Sequence, residues 1–169
     1  MFRNLQSDAF LSLGSNRGDR ADNIRHALFL LGRAPGIRVT DASALYESAP
    51  LYLREQAAFL NCVTVLMTEL DPHQLLEVCK GVERVMGRER GRRYGPRIID
   101  LDIVSYGRRV IRTPELSIPH PGLEERRFVL LPLSTVAPYW RHPFRDRSVR
   151  ELLFALGEDE GVSYYGEIG

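Results

Sequence analysis

Two aspartates one residue apart, Asp100 and Asp102, interrupt an otherwise apolar, β-branched run, IIDLDIV at 98–104. Alternate residues of a strand share a face, so Ile99, Leu101 and Ile103 point one way and both carboxylates the other, ~7 Å apart. Aspartate is depleted from strands, and like charges on one face repel. Such a pair reads either as a sheet face open to water or as a seat for cations. Hard divalent ions such as Mg²⁺ take one or two carboxylates plus substrate phosphate oxygens.

Just before the pair lies GRERGRRYGPR (87–97), with five arginines against Glu89. Ion pairing with the aspartates is the simpler reading, but the arginines outnumber the acids. A metal-bound polyphosphate would satisfy both groups, with metal on the carboxylates and guanidinium forks on the remaining oxygens. Gly87, Gly91 and Gly95 suit a mobile lid over a reacting phosphate. Alone, the arginine loop reads as a nucleic-acid contact, but the neighbouring carboxylates repel a backbone phosphate unless a metal intervenes. Together the two features favour an enzyme of phosphoryl-type transfer.

Further along, His120 stands between Pro119 and Pro121, on a rigid turn where it is either an ordinary surface histidine or a phosphate contact. Arg126 and Phe128 follow at period two. Near the start, Gly14-Ser15-Asn16 closes an apolar run and has the makings of a small phosphate nest.

These residues must be positioned by one ordinary core. A chain of 169 residues buries roughly 70% of its extended surface, and a single domain is expected. Apolar content of 44% and charged content of 27% exclude wholesale disorder. No apolar run approaches ~18 residues, so no membrane span is expected. The opening MFRNLQSDAF lacks a basic segment followed by a long apolar stretch, so no secretory leader is expected. Cys62 and Cys79 lie within apolar patterns and read as buried thiols of a reducing compartment; a cytoplasmic location is expected. Lys80 is the only lysine. The net charge of +1 excludes bulk polyanion binding, and the last nineteen residues carry acids and no base.

Periodicity predicts strands at 9–13, 37–47, 59–68 and 98–104. It predicts helices over about 19–33, from the Asp71-Pro72 cap to Gly87, and over 124–136 and 148–156. Residues 109–111 would pair with the acidic strand after a turn at Gly107. The order β-α-β-β-α-β predicts an α+β, ferredoxin-like core: an antiparallel sheet with helices on one face and C-terminal additions.

The string RYGPRIIDLDIV (93–104) resembles the signature of the 6-hydroxymethyl-7,8-dihydropterin pyrophosphokinases. LGSN at 13–16, FLN at 59–61, GRER at 87–90, IPHP at 118–121 and ERRFVLLPL at 125–133 fall in the family's order. The resemblance implies a single pyrophosphokinase domain over 1–156, followed by an acidic tail at 157–169. It also implies ATP-dependent diphosphoryl transfer to the pterin's hydroxymethyl group, releasing AMP, in folate biosynthesis. By the same analogy Asp100 and Asp102 hold two Mg²⁺ ions, and Arg88 and Arg97 stabilise charge during transfer. Glu83, Arg90, His120 and Arg126 match positions around the ATP co-substrate. Asn61 matches the residue that reads the pterin's polar edge, Phe59 and Phe128 the aromatic pair that sandwiches the ring, and Tyr94 a lid aromatic. Ser48, Ala49 and Leu51 match a pterin-side turn that works largely through backbone. Lys80 departs from an expected glutamine, and Gln56 lacks the usual following proline. The expected partners are the two small molecules, with no nucleic acid and no membrane, and the protein is expected to be a monomer.

Two other classes fit parts of the pattern. A metal-dependent nucleotidyltransferase also pairs Gly-Ser with DxD, but close in sequence, whereas about eighty residues separate Ser15 from Asp100. An RNA-binding ferredoxin-like module would need exposed aromatics on its sheet, where IIDLDIV presents carboxylates.

Overall fold

Period-two alternation in three neighbouring strands gives the central sheet two chemically different faces. The computed structural model describes residues 7–52, 54–87, 95–158 and 161–169. Strands β1 (Ser7–Ser15), β4 (Phe59–Thr68) and β5 (Asp100–Tyr106) lie side by side with β1 in the middle, all antiparallel. On one face Ala9, Leu11 and Leu13 join Leu60, Cys62 and Leu66, together with Leu101 and Ile103. Helices α1 (Arg20–Arg33) and α2 (Pro72–Val85) cover this face with Ile24, Ala27, Leu31, Leu75, Cys79 and Val82. Burial pushes the free Cys62 thiol up to about 11. Burial, reinforced by Glu83 and Asp102, pushes that of Cys79 to about 12, so both stay protonated core side chains.

Helix starts follow local chemistry. Asp19 caps α1 by accepting from the Asp22 N–H. Asp71 and Gln74 form a reciprocal capping box at α2, with Pro72 in the first turn, where its missing N–H costs nothing.

The second face departs from the expectation of helices on one side only. Phe10, Val63 and Val104 pack there against α3 (Arg127–Val136) and α4 (Val149–Leu156). Their apolar stripes have no room on the first face, which α1 and α2 already fill. The cover is partial, and it leaves one end of this face open.

Residues 37–47 form two strands, not one. β2 (Ile37–Ala42) pairs with the far half of β4 and β3 (Leu45–Ser48) with its beginning. At the break, the Ser43 hydroxyl accepts from the Val63 N–H at 3.0 Å, a side-chain bond that competes with the ladder. The ferredoxin-like order survives: β4 lies between β1 and the β2/β3 edge, and β5 lies on the other side of β1. The expected pairing of 109–111 with the acidic strand is not what forms. Instead β6 (Ile111–Arg112) pairs with β7 (Ser117–Ile118) across a turn closed by the Thr113 N–H on the Leu116 carbonyl.

Within the stretch expected to be an acidic tail, Val162–Gly166 forms β8, antiparallel to β3. Tyr164 meets Tyr46 edge to face, Tyr165 lies under the Arg20 guanidinium, and Arg25 Nε donates to the Ile168 carbonyl at 2.6 Å. Among the described residues no helix is long and apolar enough to cross a membrane.

Candidate active site

Where α3 and α4 leave the second face uncovered, the alternation continues with different residues. Beyond Phe10 come Ser12 and Gly14, before Val63 come Phe59 and Asn61, and before Val104 come Asp100 and Asp102. Register sets Ser12 opposite Asp102, and Gly14 opposite both Asp100 and Asn61. The result is a cleft of about 260 Å³ floored by three strands. A Cβ at Gly14 would stand 3.7 Å from both the Asn61 Oδ1 and the Phe59 ring, so any longer side chain would fill that floor.

The cleft gathers most of the residues singled out from the sequence. Asp100 and Asp102 come from β5, Phe59 and Asn61 from β4, and Ser48, Ala49 and Leu51 from the end of β3 and the turn after it. Arg97 precedes β5, His120 follows β7, and Arg126 and Phe128 flank the start of α3. Arg88, Arg90 and Tyr94 lie outside the described residues. Glu83 does not line the cleft; it is buried on the helix side of β5, where its Oε1 accepts from the Leu101 N–H at 2.8 Å. It thereby pins the backbone between the two aspartates. Lys80 is on the outer surface of α2, paired with Glu77 at 3.4 Å.

Gly14, Gln56 and Gly95, which the sequence ties to a phosphate nest, a pterin-side loop and a lid, also line the cleft, and so do Ser12 and Tyr52, which it does not single out. For Ser12 and Gly14 a signal existed: they are the small, non-apolar members of an apolar strand, on the parity opposite Leu11 and Leu13. Gly14-Ser15-Asn16 is not a nest. Ser15 is still in β1, paired with Leu60, and its hydroxyl accepts from Asn23 Nδ2.

The expected helix over 124–136 is broken, and the break lies at a residue that lines the cleft. A 3-10 turn at Leu123–Glu125 ends at Arg126, whose φ of −105° and ψ of 89° are not helical, and α3 starts at the next residue. The Val129 and Leu130 N–H groups donate to the Arg126 carbonyl, so the backbone there is used while the side chain turns to the cleft.

Arg97 Nη1 pairs with Asp100 Oδ2 at 3.0 Å, so one arginine–aspartate ion pair does form. Asn61, 3% exposed, spends its Nδ2 on the Tyr46 carbonyl (3.2 Å) and the Ser48 hydroxyl (2.8 Å). What it offers the cleft is therefore the acceptor Oδ1. His120 is tied to β5 through its N–H on the Val104 carbonyl, and its Nδ1 accepts from the Gly122 N–H at 3.0 Å. This assigns the ring proton to Nε2, which faces Arg126 Nη1 at 3.5 Å. Two donors thus converge, an arrangement that an anion's oxygen would complete.

Burial first, then the Arg126 charge, lowers the His120 pKa from 6.5 to about 4, with Asp100 opposing. A depressed histidine binds fewer protons folded than unfolded between these values. Its contribution to stability is therefore full above about 6.5 and is lost as pH falls towards 4. The melting temperature of the wild-type chain is expected to fall more steeply between pH 7 and pH 4.5 than that of His120→Asn. Parallel curves would contradict the buried neutral imidazole.

A family model described as 7,8-dihydro-6-hydroxymethylpterin-pyrophosphokinase (HPPK) matches residues 10–138. The chain belongs to this family. The HPPK match contains every residue lining the cleft, while α4 and β8 lie beyond it. The 2-amino-4-hydroxy-6-hydroxymethyldihydropteridine pyrophosphokinase of Methylorubrum extorquens is 45% identical over 77% of this chain and 82% of that protein. The folic acid synthesis protein of Schizosaccharomyces pombe is 44% identical over 93% of this chain but only 21% of its own length. The chain thus spans about a fifth of the first curated relatives it matches. A crystal structure of Plasmodium falciparum HPPK-DHPS superposes with a TM-score of 0.74 at 19% identity, covering 92% of this chain and 43% of that one. That likeness bears on the fold.

Proposed function

We propose that the chain transfers the diphosphoryl group of ATP to the hydroxymethyl oxygen of 6-hydroxymethyl-7,8-dihydropterin, releasing AMP, in tetrahydrofolate biosynthesis. One observation carries this reading: a single cleft holds paired carboxylates with hydrogen-bond donors (the Arg97 and Arg126 guanidiniums and the neutral His120 ring) and also two aromatic rings beside a buried amide acceptor. The first set suits a polyphosphate, the second a flat heterocycle with N–H groups on its edge.

The pterin ring stacks between Phe59 and Phe128, a large apolar contact with defined geometry. Its N–H edge donates to Asn61 Oδ1, and the turn Ser48-Ala49, with Leu51, closes that side. Tyr94 is assigned to the pterin by its match to the family's lid aromatic alone. The hydroxymethyl oxygen attacks the β-phosphorus; the bond from that phosphorus to the oxygen bridging to the α-phosphorus breaks, AMP leaves, and the hydroxyl proton is released. Arg97 and Arg88 stabilise the charge that develops on the transferring group, while Arg90, Arg126 and the Nε2–H of His120 hold the triphosphate. Glu83 serves the nucleotide side by fixing the strand between the aspartates.

Mg²⁺ fits the donor set. Two carboxylate side chains on one strand face, opposite a serine and a glycine that leave room, supply hard oxygens and leave further coordination positions for phosphate and water. Asp100 and Asp102 would hold two such ions, which supply charge neutralisation to the triphosphate. The same reading takes the protein as a monomer and, since both cysteines are free and buried, as cytoplasmic.

The test is product analysis. Incubation with ATP, Mg²⁺ and the hydroxymethyl-dihydropterin should yield AMP and pterin diphosphate one for one. Formation of ADP, or of a nucleotidylated product with free diphosphate, would overturn the assignment.

A further inference from the structure

Asn16 follows the last residue of β1, is 4% exposed and does not line the cleft, yet it is bonded to segments on both sides of it. Its backbone N–H donates to the Arg97 carbonyl at 3.1 Å, and its Oδ1 accepts from the Arg97 N–H at 2.8 Å. Its Nδ2 donates to Gln56 Oε1 at 3.0 Å and to the Ala57 carbonyl at 3.1 Å. The partners fix the amide's orientation, because the Arg97 N–H can only donate and the Ala57 carbonyl can only accept.

Those two segments come from distant parts of the sequence and serve opposite ends of the cleft. Arg97 stands beside Asp100 on the phosphate side. Gln56 lines the cleft, and Ala57 leads through Ala58 into Phe59 on the aromatic side. The next carbonyl, that of Ala58, is held by Arg20 Nη1 at 2.8 Å, so the lead-in to Phe59 is anchored over consecutive residues.

We propose that Asn16 is a positioning residue that sets the spacing between the two substrate subsites, with its Oδ1 registering the phosphate side and its Nδ2 the pterin side. The proposal rests on the reading of the cleft given above. It assigns separable functions to the two atoms of one amide. Asn16→Asp keeps an acceptor for the Arg97 N–H but removes both donors. Gln56 can turn its own amide to donate to the new carboxylate, whereas the Ala57 carbonyl cannot adapt and is left facing an oxygen. Asn16→Ala removes both arms.

The experiment titrates dihydropterin by its fluorescence into the full-length wild type and both variants, with Mg²⁺ and a non-hydrolysable ATP analogue present. Affinity for the analogue, kcat and melting temperature are measured alongside. Asn16→Asp is expected to weaken pterin binding about tenfold, equivalent to about 1.4 kcal/mol, and to change nucleotide affinity less than about threefold. That fold-change lies within the cost of a buried acceptor left without its donor. Asn16→Ala is expected to weaken both ligands and to lower kcat. Wild-type pterin affinity in Asn16→Asp would overturn the proposal. So would equal losses for both ligands that track a lower melting temperature, since that is the signature of a structural role alone. Should Asn16→Asp fail to fold, Asn16→Ala decides: unchanged affinities and kcat in that variant would refute the assignment. Wild-type chain that binds pterin without releasing AMP would sink the proposed reaction but leave this binding test intact. Wild-type chain that does not bind pterin would overturn both.

Discussion

Replacing Asp102 with alanine is expected to lower turnover by roughly 10³-fold or more while the melting temperature changes little. The size of the loss follows from what the strand face offers: two carboxylates are the hard oxygen donors that project from β5 into the cleft, and losing one halves that set. Positioning and charge stabilisation carry nearly all of phosphoryl-type catalysis, and among the described residues lining the cleft Asp100 is the one other carboxylate. The small effect on stability follows from the same geometry. Asp102 projects from the open face opposite Ser12, while the burial that holds β5 comes from Leu101 and Ile103 on the other side. Removing one of two like charges on a single strand face also relieves repulsion. Steady-state assay beside thermal unfolding checks both halves, and a folded variant with a near-normal rate would remove the carboxylate pair from the mechanism.

Arg97→Ala is expected to cut kcat by about 10²-fold or more while the KM for ATP rises only a fewfold. The backbone of Arg97 is held at both its N–H and its carbonyl by Asn16, and its Nη1 sits 3.0 Å from Asp100. The guanidinium is therefore placed before substrate arrives, and in the proposed reaction it exchanges an aspartate oxygen for phosphate oxygens that gain charge during transfer. An interaction that strengthens in the transition state appears in kcat rather than KM. Both side chains of the ion pair are about a quarter exposed, so its loss should cost stability no more than about 1 kcal/mol. Arg97→Lys should recover only part of the rate, because an ammonium cannot present a planar fork. A KM effect with unchanged kcat would reassign Arg97 to ground-state binding.

How much of this was legible beforehand differs between elements, for physical reasons. The parity of IIDLDIV announced that Ile99, Leu101 and Ile103 would be buried and the aspartates turned away, because alternation is a local property of any strand. The Asp71-Pro72 cap is equally local. The two-strand course of 37–48 was hidden, since Ser43 breaks the ladder only by meeting Val63, twenty residues away. Val162–Gly166 showed no strand signal: its three central residues are exposed, and it forms by adding to the free edge of β3. In the site, the string 93–104 and the fragments around it pointed to residues of which eleven line one cleft, while Glu83 sits on the other face of β5 and Arg88, Arg90 and Tyr94 lie outside the described residues. The helix break at Arg126 was not visible, because ERRFVLLPL carries a helical pattern and the deviation occupies one residue. Asn16 was misread for a related reason: Gly-Ser-Asn after a strand suggests a backbone nest, whereas the working groups are the side-chain amide and its partners at 56–57 and 97. Local chemistry is written in neighbouring residues, while a junction between distant segments is not.

The central claim is that Asp100 and Asp102 seat the nucleotide's triphosphate through divalent cations, with the pterin beside Phe59, Asn61 and Phe128. A crystal structure of the full chain with Mg²⁺, a non-hydrolysable ATP analogue and the hydroxymethyl-dihydropterin tests it most directly. The account predicts metal density bonded to both carboxylates and to phosphate oxygens, with the pterin stacked between the two phenylalanines. Carboxylates without metal, turned away from a nucleotide bound elsewhere, would contradict it.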